Sequence, residues 1–271
     1  MELAVKNQLK EAPNRKLYLS TIAAVVSALV VWSFVGVEVT GLDEKGTGLA
    51  MNIIKGILTP DLEFLFNFTT GGVSFLLFQT IAIAFLGTIF GSLLAIPISF
   101  LMAPSVVGGP VSYITRLVVI FIRTIPSLVY GLMFIRVTGP GAYAGVLTMS
   151  ITSIGMISRL YVDIIENLDR GVLEAMTSMG CSTYEKIRYG ILPQLFSNFL
   201  STTIYRFDMN LRDATILGLV GAGGIGAPLI FAMNSYRWNE VGSILIGLVI
   251  LILVVEVFSN KLRAQLISGE R

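Results

Sequence analysis

Six long apolar stretches decide what this chain can fold into. They occupy residues 17–37, 74–101, 115–137, 142–165, 194–220 and 241–258. A helix needs about 20 apolar residues to cross the hydrocarbon core of a bilayer, where the backbone polar groups must be satisfied within the helix. The 271-residue chain is 54% hydrophobic and only 13% charged, which is too little charge to cover a water-soluble domain. The stretches therefore predict an all-α integral membrane protein with about six transmembrane helices.

The positions of lysine and arginine predict the orientation of these helices. With the N-terminus in the cytoplasm, twelve basic residues lie on the cytoplasmic side and four on the outside. The cytoplasmic residues are Lys6, Lys10, Arg15, Lys16, Arg116, Arg159, Arg170, Lys186, Arg188, Lys261, Arg263 and Arg271. The outside residues are Lys45, Lys55, Arg136 and Arg237. Because basic residues concentrate in cytoplasmic loops, both termini and residues 166–193 are expected in the cytoplasm. Residues 1–16 are then a cytoplasmic tail, and residues 17–271 form one transmembrane domain whose first stretch is an uncleaved span rather than a signal peptide.

The composition excludes several kinds of catalytic and binding site. The chain has no histidine and one cysteine, Cys181, which removes histidine-based triads, His/Cys zinc sites and internal disulfides. It contains no G-x-x-x-x-G-K-[ST] motif, so any energy for transport must come from another chain or an ion gradient. A net charge of +2 gives no footprint for nucleic acid. An intramembrane enzyme is disfavoured because no nucleophile, base or metal set is recognisable, and neither a metal nor a cofactor is expected.

Proline and glycine mark the breaks between elements. Pro126 is expected to kink or divide the third apolar stretch, and Gly139, Pro140 and Gly141 to form a tight turn. Residues 51–58 are amphipathic and suit a position on the membrane surface.

Residues 221–226 (GAGGIG) match the dinucleotide-binding fingerprint G-x-G-x-x-G, and Glu240 follows near the offset of a ribose-binding acid. The flanking stretches are of membrane length and show no further strand–helix–strand units, which argues against that function. Two other interpretations of Gly221, Gly223, Gly224 and Gly226 stay open. They end a helix and let chains pack closely, or they form an irregular gate that lines a cavity.

The polar segment of residues 166–193 has the punctuation of a helix–turn–helix. Residues 172–179 are expected to form a short helix that Gly180 ends, and residues 182–185 (STYE) form a capping box for a second helix. Pro193 marks the entry to the fifth span. The segment is either a solvated connector or a docking surface for a partner.

This segment resembles a loop known from one family. Glu174 with Ala175, then Gly180, then Leu192 with Pro193 are similar to the "EAA" loop of the permease subunits of binding-protein-dependent ABC importers, although Gly190 stands where isoleucine is usual. The resemblance implies the type I ABC importer permease fold, as in methionine importers. It also implies that residues 166–193 couple to a cytoplasmic ATPase through Glu174, Ala175, Gly180, Tyr184, Leu192 and Pro193.

Further motifs resemble the phosphonate-importer permeases. They lie at residues 95–97, 123–126, 139–141, 144–147, 165–167, 189–194, 210–212 and 217–226. The resemblance implies a pore-forming subunit of the bacterial cytoplasmic membrane that imports phosphonates. Its implied partners are a second copy of itself, an ABC ATPase dimer and an extracytoplasmic phosphonate-binding protein. Methionine, phosphite, phosphate and phosphate esters stay open as cargo.

Charged residues inside the fifth span are costly in a membrane and indicate function by default. Asp208 and Arg212 are four residues apart and can pair on one helix face, and Arg206 and Asp213 share another face. Either these pairs neutralise each other, or Arg206 and Arg212, together with Arg123, line a path for an anion. The planar fork of arginine suits phosphonate oxygens.

Overall fold

The computed structural model describes residues 15–36 and 44–268, and all regular structure within these ranges is helical. The chain divides into two compact units, Met1–Met51 and Asn52–Arg271. The first contains helix α1 (Arg15–Gly36) and the start of α2 (Glu44–Leu58). Residues 1–14 of the predicted tail lie outside the described residues, as do residues 37–43 and 269–271.

The second unit begins within α2 and continues through ten further α-helices and one π-helical turn in the described part of the chain. They are α3 (Leu62–Leu65), α4 (Val73–Met102), α5 (Gly109–Thr124), α6 (Ser127–Thr138), α7 (Ala142–Glu166), α8 (Arg170–Ser178), α9 (Thr183–Glu185), the π-helical turn (Lys186–Ile191), α10 (Leu192–Leu219), α11 (Gly226–Asn234) and α12 (Trp238–Ser268).

Each predicted span corresponds to a helix or a helix pair. Among the described residues, α1, α4, α7 and α12 are long and apolar enough to cross a membrane, and α5 with α6 forms a fifth candidate that is sharply bent. The 28 residues of α10 give about 42 Å of helix, ample for a crossing. Four charged residues lie on α10, so it is less apolar than the other candidate spans; they are Arg206, Asp208, Arg212 and Asp213.

The predicted break at Pro126 is confirmed. Helix α5 ends at Thr124, α6 begins at Ser127, and the two axes differ by 83°. Proline lacks an N–H and forces its predecessor into an extended conformation, and Ile125 has φ −82° and ψ 123°. Across the bend the Tyr130 hydroxyl donates to the Ile122 carbonyl at 3.1 Å, so the bend is held in place.

Close packing of α4 on α7 forms the centre of the second unit. A Cβ at Gly91 would lie 2.5 Å from Cβ of Ser153, and one at Gly87 would overlap Cβ of Met149. Gly87 and Gly91 form a G-x-x-x-G pattern, which lets membrane helices approach closely. Around this contact, the core includes Ile83, Met149, Leu211 and Leu217 from α4, α7 and α10.

The second unit has two distinct ends. At one end, Ala103, Ile165 and Leu195 pack beside residues 166–193. At the other, Leu65, Val73, Ile225 and Ile244 pack together. Helix α4 joins the two ends, and its 30 residues span about 45 Å. Below, these are called the 166–193 end and the opposite end.

Candidate functional site

The first helix of the 166–193 segment begins and ends as its sequence predicts. The Asp169 carboxylate accepts from the Gly171 N–H at 2.8 Å and caps α8. After α8, Gly180 has φ +76°, a left-handed conformation that favours glycine. The Cys181 N–H donates to the Met176 carbonyl at 3.0 Å, and the Gly180 N–H to the Thr177 carbonyl at 3.0 Å. This pair of bonds is the Schellman motif of a helix end.

The predicted capping box is also present. The Ser182 N–H and hydroxyl both donate to Glu185 Oε2 at 2.7 Å, and the Glu185 N–H donates to Ser182 Oγ at 3.3 Å. The hydrogen bonds from the Ser182 hydroxyl and backbone hold the pKa of the Glu185 carboxyl below its ordinary value.

The sequence predicts a second helix in the segment that is separate from the fifth span. In the structure, this helix continues into the fifth span without a break. Helix α9 runs through the π-helical turn directly into α10. Pro193 lies in the first turn of α10, where it cannot donate to the Tyr189 carbonyl and its ring would clash with it. A wider turn relieves that clash.

The residues predicted to dock on an ATPase all lie on the surface. Glu174, Ala175, Gly180, Tyr184, Leu192 and Pro193 are exposed. Arg188, a further basic residue of the segment, contacts two of its tyrosines. Its Nη1 donates to the Tyr184 hydroxyl at 2.9 Å, and its Cζ lies 5.7 Å from the Tyr189 ring centroid. The exposed surface of the 166–193 segment therefore contains aromatic and basic side chains as well as Glu174.

The base of the 166–193 segment is tied to the rest of the unit. The Glu166 carboxylate accepts from the Ser105 N–H at 3.2 Å and its hydroxyl at 2.9 Å. The Asp169 N–H donates to Gln194 Oε1 at 3.3 Å. Residues 103–108, the end of α7 and the start of α10 are thus linked where the segment leaves the bundle.

Arg206 lies buried between α10 and α7. Its Nε donates to Ser153 Oγ at 3.3 Å, its Nη2 to Thr152 Oγ1 at 3.4 Å, and its Nη1 contacts Met156 Sδ at 3.1 Å. Asp213 lies 3.9 Å from Nη2, so the pair predicted from their spacing is present. These bonds fix the guanidinium at the midpoint of α7.

The second predicted pair, Asp208 and Arg212, is joined by a residue that the sequence did not indicate. Arg212 Nη2 lies 3.1 Å from Asp208 Oδ2 and 3.0 Å from Oε2 of Glu256 on α12. The Asp208 side chain is only 7% exposed, whereas those of Arg212 and Glu256 are 46% and 44% exposed. The second carboxylate oxygen of Asp208 is buried and forms no hydrogen bond with the part of the chain that the structure describes.

Arg123 lies near the end of α5, about one turn before the Pro126 break. A Cβ at Gly155 would lie 2.7 Å from Arg123 Cγ, so the arginine stem packs against the midpoint of α7. Arg123 is exposed, and its guanidinium has no hydrogen bond or ion pair with any described residue. Arg123 and Arg206 therefore reach the same level of α7, where α6 also begins.

Asn210 is a buried polar residue that sequence reasoning missed. Its Nδ2 donates to Thr88 Oγ1 at 2.8 Å and to Ser153 Oγ at 2.7 Å, which joins α10 to α4 and α7. The sequence did contain a signal for this contact, since Asn210 lies between the charged residues Asp208 and Arg212 in an apolar span. A polar side chain buried in such a span needs a hydrogen-bond partner on another helix.

The glycine-rich turn of residues 221–226 is held by its neighbours on every side. Gly221, Gly223 and Gly224 all have positive φ, and a Cβ at Gly223 would lie 2.6 Å from the Ala142 backbone nitrogen. The Gly224 N–H donates to Gln79 Oε1 at 3.0 Å, and the Ile225 N–H to Thr80 Oγ1 at 3.0 Å. These donors are therefore already occupied, and a helix, not a strand, precedes the turn. This excludes a dinucleotide site and favours close packing, in which Gly226 also abuts α10.

A family model described as binding-protein-dependent transport system inner membrane component matches residues 95–267. The chain is 30% identical to the phosphite transport system permease protein PtxC of Stutzerimonas stutzeri over 69% of this chain and 68% of that protein. It is also 30% identical to the phosphate-import permease protein PhnE of Mycolicibacterium smegmatis over 92% of this chain but 45% of that protein, so it spans just under half of that relative.

The fold has counterparts among solved structures. One chain of the MetNI methionine ABC transporter, in an inward-facing conformation, superposes with a TM-score of 0.61 over 72% of this chain and 94% of that chain. Sequence identity over this superposition is 19%. The similarity therefore supports the predicted type I importer permease fold and carries no information about cargo.

Proposed function

Because the chain belongs to the family of inner membrane components of binding-protein-dependent transport systems, we propose that it forms the path by which phosphonates enter the cell. It is a multi-pass permease subunit of an ABC importer. The cargo, the partners, the orientation and the residues of the path are parts of the proposal.

The observation that carries the proposal is the positive charge of Arg123 at the midpoint of α7, which is unpaired within the described ranges. Arg123 and Arg206 both contact this part of α7, and Arg123 has no acceptor among the described residues. Helix α6 begins beside Arg123, and no described side chain caps it. A helix N-terminus carries partial positive charge, and half-helices that start within a membrane bind anionic substrate groups in other transporters. An anionic cargo is the chemistry that suits this arrangement.

The relatives narrow the choice of anion. The names of the two relatives described above state phosphite and phosphate as their cargo, and a phosphonate carries a similar tetrahedral group of phosphorus and oxygen. The motifs that resemble phosphonate permeases favour phosphonate within this class. Phosphite, phosphate and phosphate esters are the alternatives, and methionine is less favoured because it is a zwitterion and offers only a carboxylate to the arginines.

Half-exposed charges at membrane depth support a second copy of the chain. Arg212, Glu256 and Asp213 are each between about one third and one half exposed on α10 and α12. Charges are costly against lipid and normally face protein or a water-filled cavity. In the proposed homodimer, the α10–α12 face lines the path between the two copies.

The energy enters through residues 166–193. In the proposed arrangement, with both termini inside, this segment faces the cytoplasm and docks on an ABC ATPase through Glu174 and its neighbours. ATP binding closes the ATPase dimer, moves the two docking segments and turns the path from inward- to outward-facing. An extracytoplasmic phosphonate-binding protein then releases its cargo into the path. The permease thus has two states, inward-facing and outward-facing, and ATP binding to the ATPase shifts the equilibrium between them.

Uptake of radiolabelled methylphosphonate by cells or proteoliposomes carrying the complete transporter tests the proposal. Arg123→Gln is the cleanest variant, because Arg123 has no partner among the described residues whose pairing would be lost. Uptake is expected to fall at least tenfold, while Arg136→Gln, which removes an exposed arginine near the end of α6, leaves it unchanged. Normal uptake by the Arg123 variant, or by the variant with Arg123, Arg206 and Arg212 all replaced by glutamine, would contradict the proposed path. Competition by phosphite, phosphate and methionine identifies the preferred cargo.

A further inference from the structure

Arg212 is held between two carboxylates with very different surroundings. Asp208 lies on the same helix, one turn away, and is buried; Glu256 lies on α12 and is 44% exposed. Within the described residues, Asp208 has no other cation, and its second oxygen has no hydrogen bond at all. A buried carboxylate cannot leave its only cation without a large penalty, whereas a half-exposed one can turn to water at little cost.

The net charge around Arg212 is negative in this structure, which disfavours binding of an anion. Arg212 contributes one positive charge, while Asp208 and Glu256 contribute two negative charges. The neighbouring Arg206 and Asp213 cancel each other. An anion that approaches Arg212 therefore meets one excess negative charge, and that charge belongs to the carboxylate that is free to move.

The guanidinium still has room to bind an oxyanion. Both carboxylates contact the same nitrogen, Nη2, and the Nε and Nη1 donors form no hydrogen bond with the described residues. Arginine binds tetrahedral oxyanions through two parallel N–H donors. A phosphonate group can thus occupy donors of Arg212 while Asp208 keeps its contact.

We propose that Glu256 is an exchangeable counter-ion of Arg212, which the oxyanion of the cargo replaces as it passes α10. The inference depends on the proposed function, since it assumes that an anion reaches Arg212. In the absence of cargo, Glu256 closes the α10–α12 contact and keeps smaller anions from Arg212. Asp208 holds the arginine side chain in position throughout.

Binding of methylphosphonate to the full-length permease, purified with its ATPase partner in lipid nanodiscs, tests this role. The readout is the ligand concentration that gives half of the maximal thermal stabilisation, with inorganic phosphate as a second oxyanion and methionine as a comparison ligand. Glu256→Gln is expected to lower this concentration about two- to fivefold, the range that follows from the strength of half-exposed ion pairs. Glu240→Gln is the matched control, because Glu240 pairs with Arg237 at 2.7 Å at the opposite end and its loss should leave the value unchanged.

A double variant separates this inference from the function on which it depends. Asp208→Asn with Arg212→Gln removes the arginine together with the carboxylate that needs it, and it should abolish oxyanion binding. If it does so while Glu256→Gln binds no more tightly than the unmodified protein, the counter-ion role is wrong and the anion path stands. If methylphosphonate binds the double variant normally, or does not bind the unmodified protein, the proposed path past Arg212 fails. Should Glu256→Gln not assemble, Glu256→Asp, whose carboxylate reaches one methylene less far, is expected to give a smaller shift in the same direction.

Discussion

Replacing Arg212 by glutamine leaves Asp208 as a buried carboxylate without a cation among the described residues. The two charges are 3.1 Å apart and the Asp208 side chain is 7% exposed. At an effective dielectric constant of about 20, the Coulomb energy of such a pair is roughly 5 kcal/mol. Breaking a buried pair by removing one partner costs about 3–5 kcal/mol in measured cases. We therefore expect Arg212→Gln to lower the free energy of unfolding by about 3–5 kcal/mol.

The ion pair between Arg212 and Glu256 gives the internal comparison. Its distance is 3.0 Å, nearly the same, but both side chains are almost half exposed. Such pairs contribute about 0.2–1 kcal/mol. Glu256→Gln is thus expected to cost less than about 1 kcal/mol. Because Arg212→Gln breaks this pair as well as the pair with Asp208, the difference between the two variants isolates the effect of the buried Asp208.

Thermal unfolding of the detergent-purified protein measures both effects. At about 2–4 °C per kcal/mol for a chain of this size, Arg212→Gln should lower the melting temperature by roughly 6–20 °C and Glu256→Gln by less than about 4 °C. Adding Asp208→Asn to Arg212→Gln should recover about half of the loss, because a neutral amide costs only about 1–3 kcal/mol when it lacks a partner. Equal losses for Arg212→Gln and Glu256→Gln, or no recovery in the double variant, would refute the reasoning.

Three other predictions concern the packing, the docking surface and the segment between α8 and α10. Gly91→Leu should separate α4 from α7 and cost at least about 1–3 kcal/mol, measured by thermal unfolding, whereas Gly109→Ala, with open space around its Cβ, should change little. Glu174→Lys should abolish copurification of the ATPase without impairing membrane insertion. The same reversal at the exposed Glu63 near the opposite end should have no effect, and a complex that survives Glu174→Lys would contradict the docking assignment. Because the pKa of Glu185 is lowered in the folded state, its capping box is complete above the ordinary glutamate pKa and is lost as the pH falls through the lowered value. The protection factors of the first amides of α9, which compare the observed exchange rate with the intrinsic rate at each pH, should therefore fall on acidification, and Glu185→Gln should remove that dependence.

Features that depend on a few consecutive residues could be predicted from the sequence. The capping box at residues 182–185, the helix stop at Gly180 and the division at Pro126 are all decided by local backbone chemistry. The apolar stretches are likewise long enough that hydropathy identifies them. Asp208 and Arg212 belong with these features, since both lie on one helix face.

Contacts between helices could not be predicted in the same way. Glu256 is 44 residues from Arg212, and Asn210 is 122 residues from Thr88. Which residues meet across helices depends on how each helix is rotated about its axis, and a single uniformly apolar span contains little information about that rotation. The G-x-x-x-G spacing of Gly87 and Gly91 is a local sequence signal for a close helix crossing, although it does not identify α7 as the partner helix.

Helix α10 links the proposed docking segment to the intramembrane charges, and its contacts on its two sides differ in strength. Towards α7 it is fixed by the buried side chains of Arg206 and Asn210, which make several hydrogen bonds. Towards α12, its charged contacts among the described residues are the half-exposed ion pair of Arg212 with Glu256 and a cation–π contact, in which Arg263 Cζ lies 5.5 Å from the Tyr205 ring centroid. Such contacts contribute only about 1 kcal/mol or less at exposed sites. A displacement that enters at the π-helical turn should therefore carry α10 and α7 together and be taken up between α10 and α12. In the proposed mechanism the cargo anion replaces Glu256 at this same place. The Arg212–Glu256 ion pair is therefore broken both by the movement of α10 relative to α12 and by binding of the anion.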